Sequence, residues 1–289
     1  MSDFTPKLVS AQINNYKSLS SVNLSFRNLT ILVGANSSGK SNCLESLSFL
    51  KFLVANGSAP PTNFLEMMHR VGAGEDIRLT VKIQDTKKQV EYCVSVATDS
   101  EDYTDESRIS REILTVGKTK VIDLTNGIGE VRDENRKNTQ VYRAKPDKLA
   151  LTSAGNFGEK PVTASITEFI ENWEFYDLDP DFIKEAFVAF KLEEDSKGDK
   201  PVLSLDTYGR RVQRMLRYWA KEQQDRFQKV NEDLFKCLNV KLKLVSYNDD
   251  YLLRVLEADG SEIPFSNLSD GTLRKLPIVH YCIHLKVLL

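Results

Sequence analysis

The sequence is poor in cysteine, and the cysteines it has are widely separated. Among 289 residues there are four, at Cys43, Cys93, Cys237 and Cys282. No two of them have the short paired spacing of a zinc knuckle, and isolated thiols do not make the dense framework of a disulfide-stabilised domain. We therefore expect free, buried thiols in a domain that a hydrophobic core stabilises.

A net charge of one sign and long apolar runs are also missing. The formal net charge is −2, so the chain as a whole has no electrostatic bias towards nucleic acid or anionic lipid. No apolar run approaches the roughly 18 residues that span a bilayer, and the opening MSDFTPKLVS does not resemble a signal peptide. We expect a cytoplasmic protein with no membrane contact.

Two common enzyme patterns are absent from the sequence. No Ser-His-Asp or Cys-His set can be assembled, and no Rossmann glycine pattern with a downstream acid is present. The composition, with 41% hydrophobic and 28% charged residues, is that of an ordinary globular protein.

Three short strands are predicted at the start of the chain. They are LVSAQI, SVNLSF and LTILV, separated by polar turns. The third leads into the loop GANSSGKS. A helix follows, since Leu44, Leu47, Leu50 and Val54 recur at helical spacing.

Periodicity divides the remainder into β and helical parts. Alternating apolar residues predict a hairpin over 77–83 and 90–96, and we expect an irregular β region over 101–160 with short strands at REILTV and KVIDL. Helices begin near Ser165, the longest running from about Thr207 to Leu238, and VKLKLVSY and YLLRVLEA form a second hairpin. We predict four segments: 1–60 with the loop GANSSGKS, 61–160 rich in β structure, a helical insert over 161–240, and 241–289 with the second hairpin and a final helix.

The glycine-rich loop has the spacing of a phosphate-binding P-loop. Gly34 is followed after four residues by Gly39, Lys40 and Ser41. Glycines let the backbone N–H groups point inwards, the lysine reaches the β- and γ-phosphates, and the serine hydroxyl binds Mg²⁺. The predicted nucleotide-binding residues are Gly34, Ala35, Asn36, Ser37, Ser38, Gly39, Lys40, Ser41 and Asn42, with Ser41 as the Mg²⁺ ligand. The alternative is a Gly- and Ser-rich turn without a ligand.

The two ends of the sequence resemble RecF-like and SMC-like ATPases and the related AAA-domain proteins that include the OLD nucleases. The opening INNYKSLSSVNLSFRNLTILVGANSSGKSN is similar to their start, and the tail FSNLSDGTLRKL to their signature motif. NWEFYDLDP and LDTYGRRVQRML resemble segments that lie between these motifs. The resemblance implies an α/β, ABC-type P-loop NTPase fold with an antiparallel β region and a helical insert, here without the C-terminal core strands.

The signature predicts a second anion site. Ser269 is positioned to cap a helix that starts near Gly271, so the serine hydroxyl, the glycine amide and the helix dipole would face an anion together. The resemblance implies that Ser269, Asp270 and Gly271 bind the γ-phosphate of ATP held by a partner protomer, which makes dimerisation ATP-dependent. The alternative is an ordinary capped helix with a glycine turn.

Family members continue with a hydrophobic strand that ends in an acidic pair, the Walker B motif, and we expect this chain to lack it. The only apolar run that ends in acids is FVAFKLEED, and we interpret Glu193, Glu194 and Asp195 as a solvated helix end. The strands that flank LTILV would then also be missing, and its apolar edge would invite pairing with another chain.

The expected function is ATP binding with Mg²⁺ by an AAA/ABC-like ATPase that lacks its own Walker B. In intact relatives ATP hydrolysis is coupled to DNA maintenance or anti-phage defence. The expected partner is a second copy in an ATP-dependent homodimer, or a complementing chain that supplies Walker B. The alternative is a non-hydrolysing nucleotide-binding or protein-interaction module that acts by assembly.

Two weaker patterns have both a functional and a structural interpretation. Arg210, Arg214, Arg217 and Lys221 recur at helical spacing, which makes DNA a candidate partner, but nearby acids favour a solvated, ion-paired face. Tyr16 and Lys17 lie where relatives approach the nucleotide base, which makes them candidates for base stacking or a phosphate contact, and an exposed turn explains them equally well.

The three histidines give no clear metal site. His280 and His284 are one helical turn apart with Cys282 between them, but no third ligand follows. His69 has no visible partner in the sequence. We expect all three to be packed or surface residues.

Overall fold

The computed structural model describes residues 6–61, 68, 76–84, 88–98, 107–154, 159–184, 205–247 and 250–276. Contacts divide the chain into two compact units, Met1–Trp173 and Glu174–Leu289. The predicted division into four segments is finer than this one and stays a prediction.

The first unit is built on an eight-stranded antiparallel sheet with the order β2-β1-β3-β4-β5-β6-β7-β8. The strands are β1 Lys7–Tyr16, β2 Leu19–Ser25, β3 Ile77–Gln84, β4 Gln89–Thr98, β5 Ser107–Val116, β6 Thr119–Thr125, β7 Ile128–Val131 and β8 Gln140–Arg143. The predicted hairpin over 77–96 is confirmed, with Ile83 opposite Val90. The short strands predicted at REILTV and KVIDL are confirmed within β5 and β6. The expectation that the region is otherwise irregular is wrong over 107–143, because β5 to β8 continue the sheet as a meander.

In the part of the first unit that the structure describes, the helices of five or more residues are α1 Lys40–Asn56, α2 Ala150–Ala154 and α3 Pro161–Glu171. Helix α1 contacts β1 and α3. Its predicted apolar stripe is largely confirmed, since Leu47, Leu50 and Val54 are fully buried while Leu44 is partly exposed. This packing fixes the start of α1, and with it the end of the phosphate loop.

The predicted third strand, LTILV, is not a strand in the structure. The chain leaves the sheet after Phe26, whose amide N–H donates to the Val9 carbonyl, and residues 28–35 are irregular. Leu29, Ile31 and Val33 are 74%, 72% and 89% exposed. Within the described ranges no strand pairs with this segment, so its alternating apolar residues have no layer against which to pack.

The second unit combines helices with a small antiparallel sheet of order β11-β10-β9. Its elements are α4 Val212–Glu222, α5 Gln224–Leu238, β9 Lys241–Tyr247, β10 Asp250–Leu256 and β11 Glu262–Pro264, with helical residues at 180–184 and 270–276. The predicted second hairpin is confirmed, with Leu244 opposite Leu253.

The single long helix predicted over 207–238 is wrong. Gln223 adopts φ −137° and ψ 62°, which ends α4 and starts α5. Helix α4 packs on β10 and α5 on β9. The break therefore lets each helix bury its own apolar stripe, with Trp219 from α4 and Leu234 from α5 in one core.

Candidate functional site

The predicted phosphate loop is an exposed turn that ends at the first residue of α1. Gly39 precedes the helix with φ 90°, and Ser37 has φ 63°, so two residues of the loop adopt the left-handed region that favours glycine. A Cβ on Gly34 would lie 2.9 Å from the Ser38 hydroxyl. Glycine is therefore favoured at the two ends of the motif for different reasons. Gly34 lets the loop close on Ser38, and Gly39 adopts the sharp turn into the helix.

The ammonium of Lys40 lies inside the loop. Its Nζ donates to the carbonyl oxygens of Gly34 and Ala35 at 2.9 and 2.7 Å, and it is 3.4 Å from the Ser38 hydroxyl. A positive charge held at the start of a 17-residue helix adds to the N-terminal end of the helix dipole. This combination attracts an anionic group such as a phosphate.

Ser41 and Asn42 occupy the first turn of α1. Ser41 is exposed, and its hydroxyl, next to Lys40, could serve Mg²⁺, which binds few protein oxygens and completes its shell with phosphate and water. Asn42 Nδ2 donates to the Ser18 hydroxyl at 2.7 Å, in the turn between β1 and β2. Asn42 thus connects the loop to the sheet.

The turn between β1 and β2 packs against the end of the loop and the first turns of α1. A Cβ on Gly39 would lie 2.8 Å from Leu19 Cδ2. Lys17, with φ 47°, forms an ion pair with Glu45 of α1. Sequence reasoning missed Ser18, Leu19 and Glu45, because only the fold shows that this turn lies against α1.

Tyr16 is not available for stacking on a base. Its ring is buried and packs 5.8 Å from the ring of Phe49, and its hydroxyl donates to Met68 Sδ at 3.1 Å. Burial raises the pKa of the phenol above its usual value, and the Glu45 carboxylate raises it further. Base stacking by Tyr16 and an exposed position for it are therefore wrong in this structure, whereas the phosphate contact suggested for Tyr16 and Lys17 stays a prediction.

The signature residues form the predicted capped helix start in the second unit. Helical residues begin at Asp270, and the Ser269 hydroxyl accepts the Thr272 amide N–H at 3.3 Å. Among the described residues, no atom lies within 4 Å of the position of a Cβ on Gly271, and the φ of Gly271 is not positive. Neither packing nor backbone geometry requires a glycine there, so the surface at this helix start is open to an approaching group.

Asp270 has a partner that the sequence did not suggest. Its carboxylate accepts a hydrogen bond from Lys184 Nζ at 2.8 Å. That bond lowers the pKa of Asp270 and raises the pKa of Lys184. The two residues are 86 positions apart, and no local pattern could have shown their contact.

The predicted basic stripe is not continuous. Arg217 is buried and so does not share an exposed face with Arg210 and Arg214. Arg210 precedes α4, where its guanidinium lies 4.1 Å from the Phe182 ring centroid, and the Lys221 ammonium lies 4.0 Å from that of Tyr251. These cations pack on aromatic rings, which favours a structural role for them.

The buried carboxyl group of Glu112 was also missed. It accepts the amide N–H groups of Ala150 and Leu151 at 2.7 and 2.8 Å and the Tyr92 hydroxyl at 3.1 Å. Complete burial raises its pKa to about 7, although these hydrogen bonds oppose the shift. The group caps α2 inside the core and has no contact with the loop among its described partners. Its role is structural.

Several sequence candidates lie outside the described residues. They are His69, Glu193, Glu194, Asp195, His280, Cys282 and His284. Among the residues that are described, no group of three or more His, Cys, Asp or Glu could hold a metal ion.

Two open hollows in the second unit adjoin α5. One lies at the break between the helices and is lined by residues 221–226, and the other is lined along α5 by residues that include Phe227, Asn231 and Phe235. Neither contains a loop or signature residue. We place the candidate site at the loop, because the Lys40 ammonium lies against the loop backbone there. The two hollows are lined mainly by side chains on the outer surface of α4 and α5.

Comparison with known proteins shows the family to which the chain belongs. The family model described as AAA ATPase domain matches residues 7–288. No curated protein matches the chain. No helix in the described part of the chain is long and apolar enough to cross a membrane.

Two solved structures of the recombination mediator protein RecF of the RecFOR pathway are similar to parts of this fold. The structure with ATP is 10% identical with a TM-score of 0.36, and the match covers 95% of this chain and 80% of that one. The structure with ATPrS is 11% identical with a TM-score of 0.33, and the match covers 95% of this chain and 79% of that one. These scores are too low to carry a functional argument, whereas the family model spans nearly the whole chain. The chain therefore belongs to the AAA ATPase domain family, which confirms the resemblance that its two end motifs predicted.

Proposed function

We propose that this chain binds ATP and Mg²⁺ at residues 34–42. The observation that carries the proposal is the position of Lys40, the first residue of α1. Its ammonium lies 2.9 and 2.7 Å from the carbonyl oxygens of Gly34 and Ala35 in the loop. In this proposal the loop amides and Lys40 bind the β- and γ-phosphates, Ser41 binds Mg²⁺, and Asn42 keeps the helix start against the sheet. Bound Mg²⁺ would neutralise phosphate charge.

We also propose that the ATP-bound form pairs with a second copy through the signature. Ser269 would offer its hydroxyl, and Gly271 its amide, to the terminal phosphate of the partner's nucleotide. The capped helix start and the open space at Gly271 support this role. The active form is then a nucleotide-bridged homodimer.

Hydrolysis requires more than these residues. The loop and the signature contribute a single carboxylate, Asp270, and Lys184 already pairs with it. A positioned general base typically contributes about 10²- to 10⁴-fold to the rate. We propose that turnover depends on carboxylates outside these two motifs, in the dimer or in a complementing chain, and that its coupling to DNA maintenance or anti-phage defence follows the family by analogy.

Binding is tested by titrating a fluorescent ATP analogue with Mg²⁺ into the chain and into Lys40→Ala. Charge-assisted hydrogen bonds contribute about 1.5–3 kcal/mol, so we expect affinity to fall roughly 10- to 100-fold. Lys82→Ala is the matched control, because it removes an exposed, ion-paired lysine elsewhere in the first unit. Equal affinity of Lys40→Ala and the parent chain would refute the proposal.

Turnover is tested separately by phosphate release per bound ATP, with Lys40→Ala as the blank. ATP binding without phosphate release would support the alternative function, a non-hydrolysing nucleotide-binding module that acts by assembly. Release above the blank would support an ATPase, and stimulation by added DNA would then support the proposed coupling.

A further inference from the structure

An acid occupies the proposed phosphate-binding surface of the signature. Asp270 is the first residue of the helix, between Ser269 and Gly271. Its side chain is 68% exposed. A carboxylate is favourable at a helix N-terminus, but it repels a second anion that approaches the same place. Unless it is neutralised, Asp270 opposes the binding of a triphosphate.

Lys184 supplies the opposite charge. Its Nζ donates to Asp270 Oδ1 at 2.8 Å, and its side chain is 29% exposed. The contact joins the helical residues 180–184 to the signature helix. Arg274, one turn further along, adds positive potential at Asp270, and Asp181 faces Lys184. Among the described residues, Arg274 is therefore a second cation and Asp181 a second carboxylate that act on the Lys184–Asp270 pair.

The backbone around Lys184 is firmly held. Asp179 caps the helical residues, because its carboxylate accepts the Asp181 amide N–H at 2.9 Å. Ile183 is fully buried in the core of the second unit, and its carbonyl accepts a hydrogen bond from Gln213 Nε2 at 2.8 Å. The lysine thus extends from a fixed position towards the signature.

We propose that Lys184 is a positioning residue for the signature, which neutralises Asp270 and directs its carboxylate away from the open side of the helix start. The terminal phosphate of a nucleotide held by a second copy of this chain can then approach Ser269 and Gly271. This inference rests on the proposed role of the signature. It adds a residue from a separate part of the sequence to that site, and it explains how an acid is tolerated there.

The effect is measured as ATP-dependent dimerisation. Sedimentation velocity with Mg²⁺ and ATP gives the dimer dissociation constant, and a fluorescent ATP analogue gives the affinity of the loop. The variants are Lys184→Ala, Lys184→Arg, Asp270→Asn and the double variant Lys184→Ala/Asp270→Asn. Lys243→Ala is the matched control, because it removes another ion-paired lysine of the second unit, one that pairs with Glu262.

We expect Lys184→Ala to weaken dimerisation by about two- to fivefold, the range of an exposed charge interaction, without changing the affinity of the loop for nucleotide in the monomer. Lys184→Arg should restore dimerisation, since it keeps the charge. The double variant should also restore it, because without the acid there is nothing to neutralise. A purely structural role would not produce this rescue.

Two results would overturn the role of Lys184 alone: dimerisation of Lys184→Ala as tight as that of the parent chain, or a double variant as weak as Lys184→Ala. A parent chain that binds ATP but never dimerises would instead overturn the proposed role of the signature, and this inference with it. The affinity of the loop separates that outcome from a failure of nucleotide binding.

Discussion

The side-chain amide of Asn42 donates to the hydroxyl of Ser18 at 2.7 Å, which ties the first turn of α1 to the turn between β1 and β2. Since Lys40 and Ser41 belong to the same helical turn, this bond restricts how far the end of the phosphate loop can move from the sheet. The loop is therefore anchored to the sheet through Asn42, the last of the predicted nucleotide-binding residues.

Asn42→Ala should lower ATP affinity several-fold, because a lost hydrogen bond costs about 0.5–1.5 kcal/mol and the loop becomes less ordered. Titration with a fluorescent ATP analogue measures this change. Asn56→Ala removes an exposed side-chain hydrogen bond at the other end of the same helix and should leave affinity unchanged. Equal effects of the two substitutions would show that Asn42 has no special connection with the loop.

Gly39→Ala should destabilise the protein and abolish nucleotide binding. A left-handed φ costs a non-glycine residue about 1–2 kcal/mol, and the new methyl group would lie 2.8 Å from Leu19 Cδ2. Gly260→Ala is a matched control, because Gly260 has a similar φ of 88° with nothing within 4 Å of a Cβ. Chemical denaturation should show a larger loss of stability for Gly39→Ala, and equal losses would contradict the close packing of Leu19.

Ser269→Asp separates the capping role of this residue from its proposed phosphate contact. Aspartate caps helices about as well as serine, so thermal stability should change little. The added negative charge should nevertheless abolish ATP-dependent dimerisation, which sedimentation velocity measures. Ser269→Ala should cost about 1 kcal/mol of stability through loss of the cap. Normal dimerisation of Ser269→Asp would argue against an anion at this position.

Glu112 should make stability depend on pH. Its pKa is about 7 in the folded chain, against an ordinary value of 4.5, so the folded state binds its proton more tightly than the unfolded state. The contribution of Glu112 to the free energy of unfolding is complete below about pH 4.5. It falls by roughly 3 kcal/mol as the pH rises through 7. Denaturation at several pH values should show this loss, and Glu112→Gln should flatten it. An unchanged profile in the variant would assign the pH dependence to another group.

Ile31→Thr should change stability by less than about 0.5 kcal/mol, as for an ordinary surface substitution. The side chain is 72% exposed, and its segment pairs with no strand in the described ranges. Leu47→Ala, in the buried stripe of α1, is the contrasting variant and should cost about 2–5 kcal/mol. A loss of that size for Ile31→Thr would show that this segment is packed in solution.

The failures of sequence-based prediction share one cause, which is that local periodicity does not report the neighbours of a segment. LTILV has the alternation of a strand, but a strand needs hydrogen-bonding partners. The helical pattern from 207 to 238 is real on both sides of Gln223, and the break depends on which strand each half packs against. Arg217 fits a basic stripe by spacing, yet its position on α4 is buried.

Properties that depend on short spacings could be predicted from the sequence alone. The phosphate loop, the start of α1, the capped signature helix and both predicted hairpins follow from residues within a few positions of one another, because turn and capping geometry is local. The tertiary structure decided the contacts between distant residues. It placed Leu19 against Gly39, Glu112 against the start of α2 and Lys184 against Asp270. Those contacts depend on how strands and helices pack, and no spacing within a single segment encodes that packing.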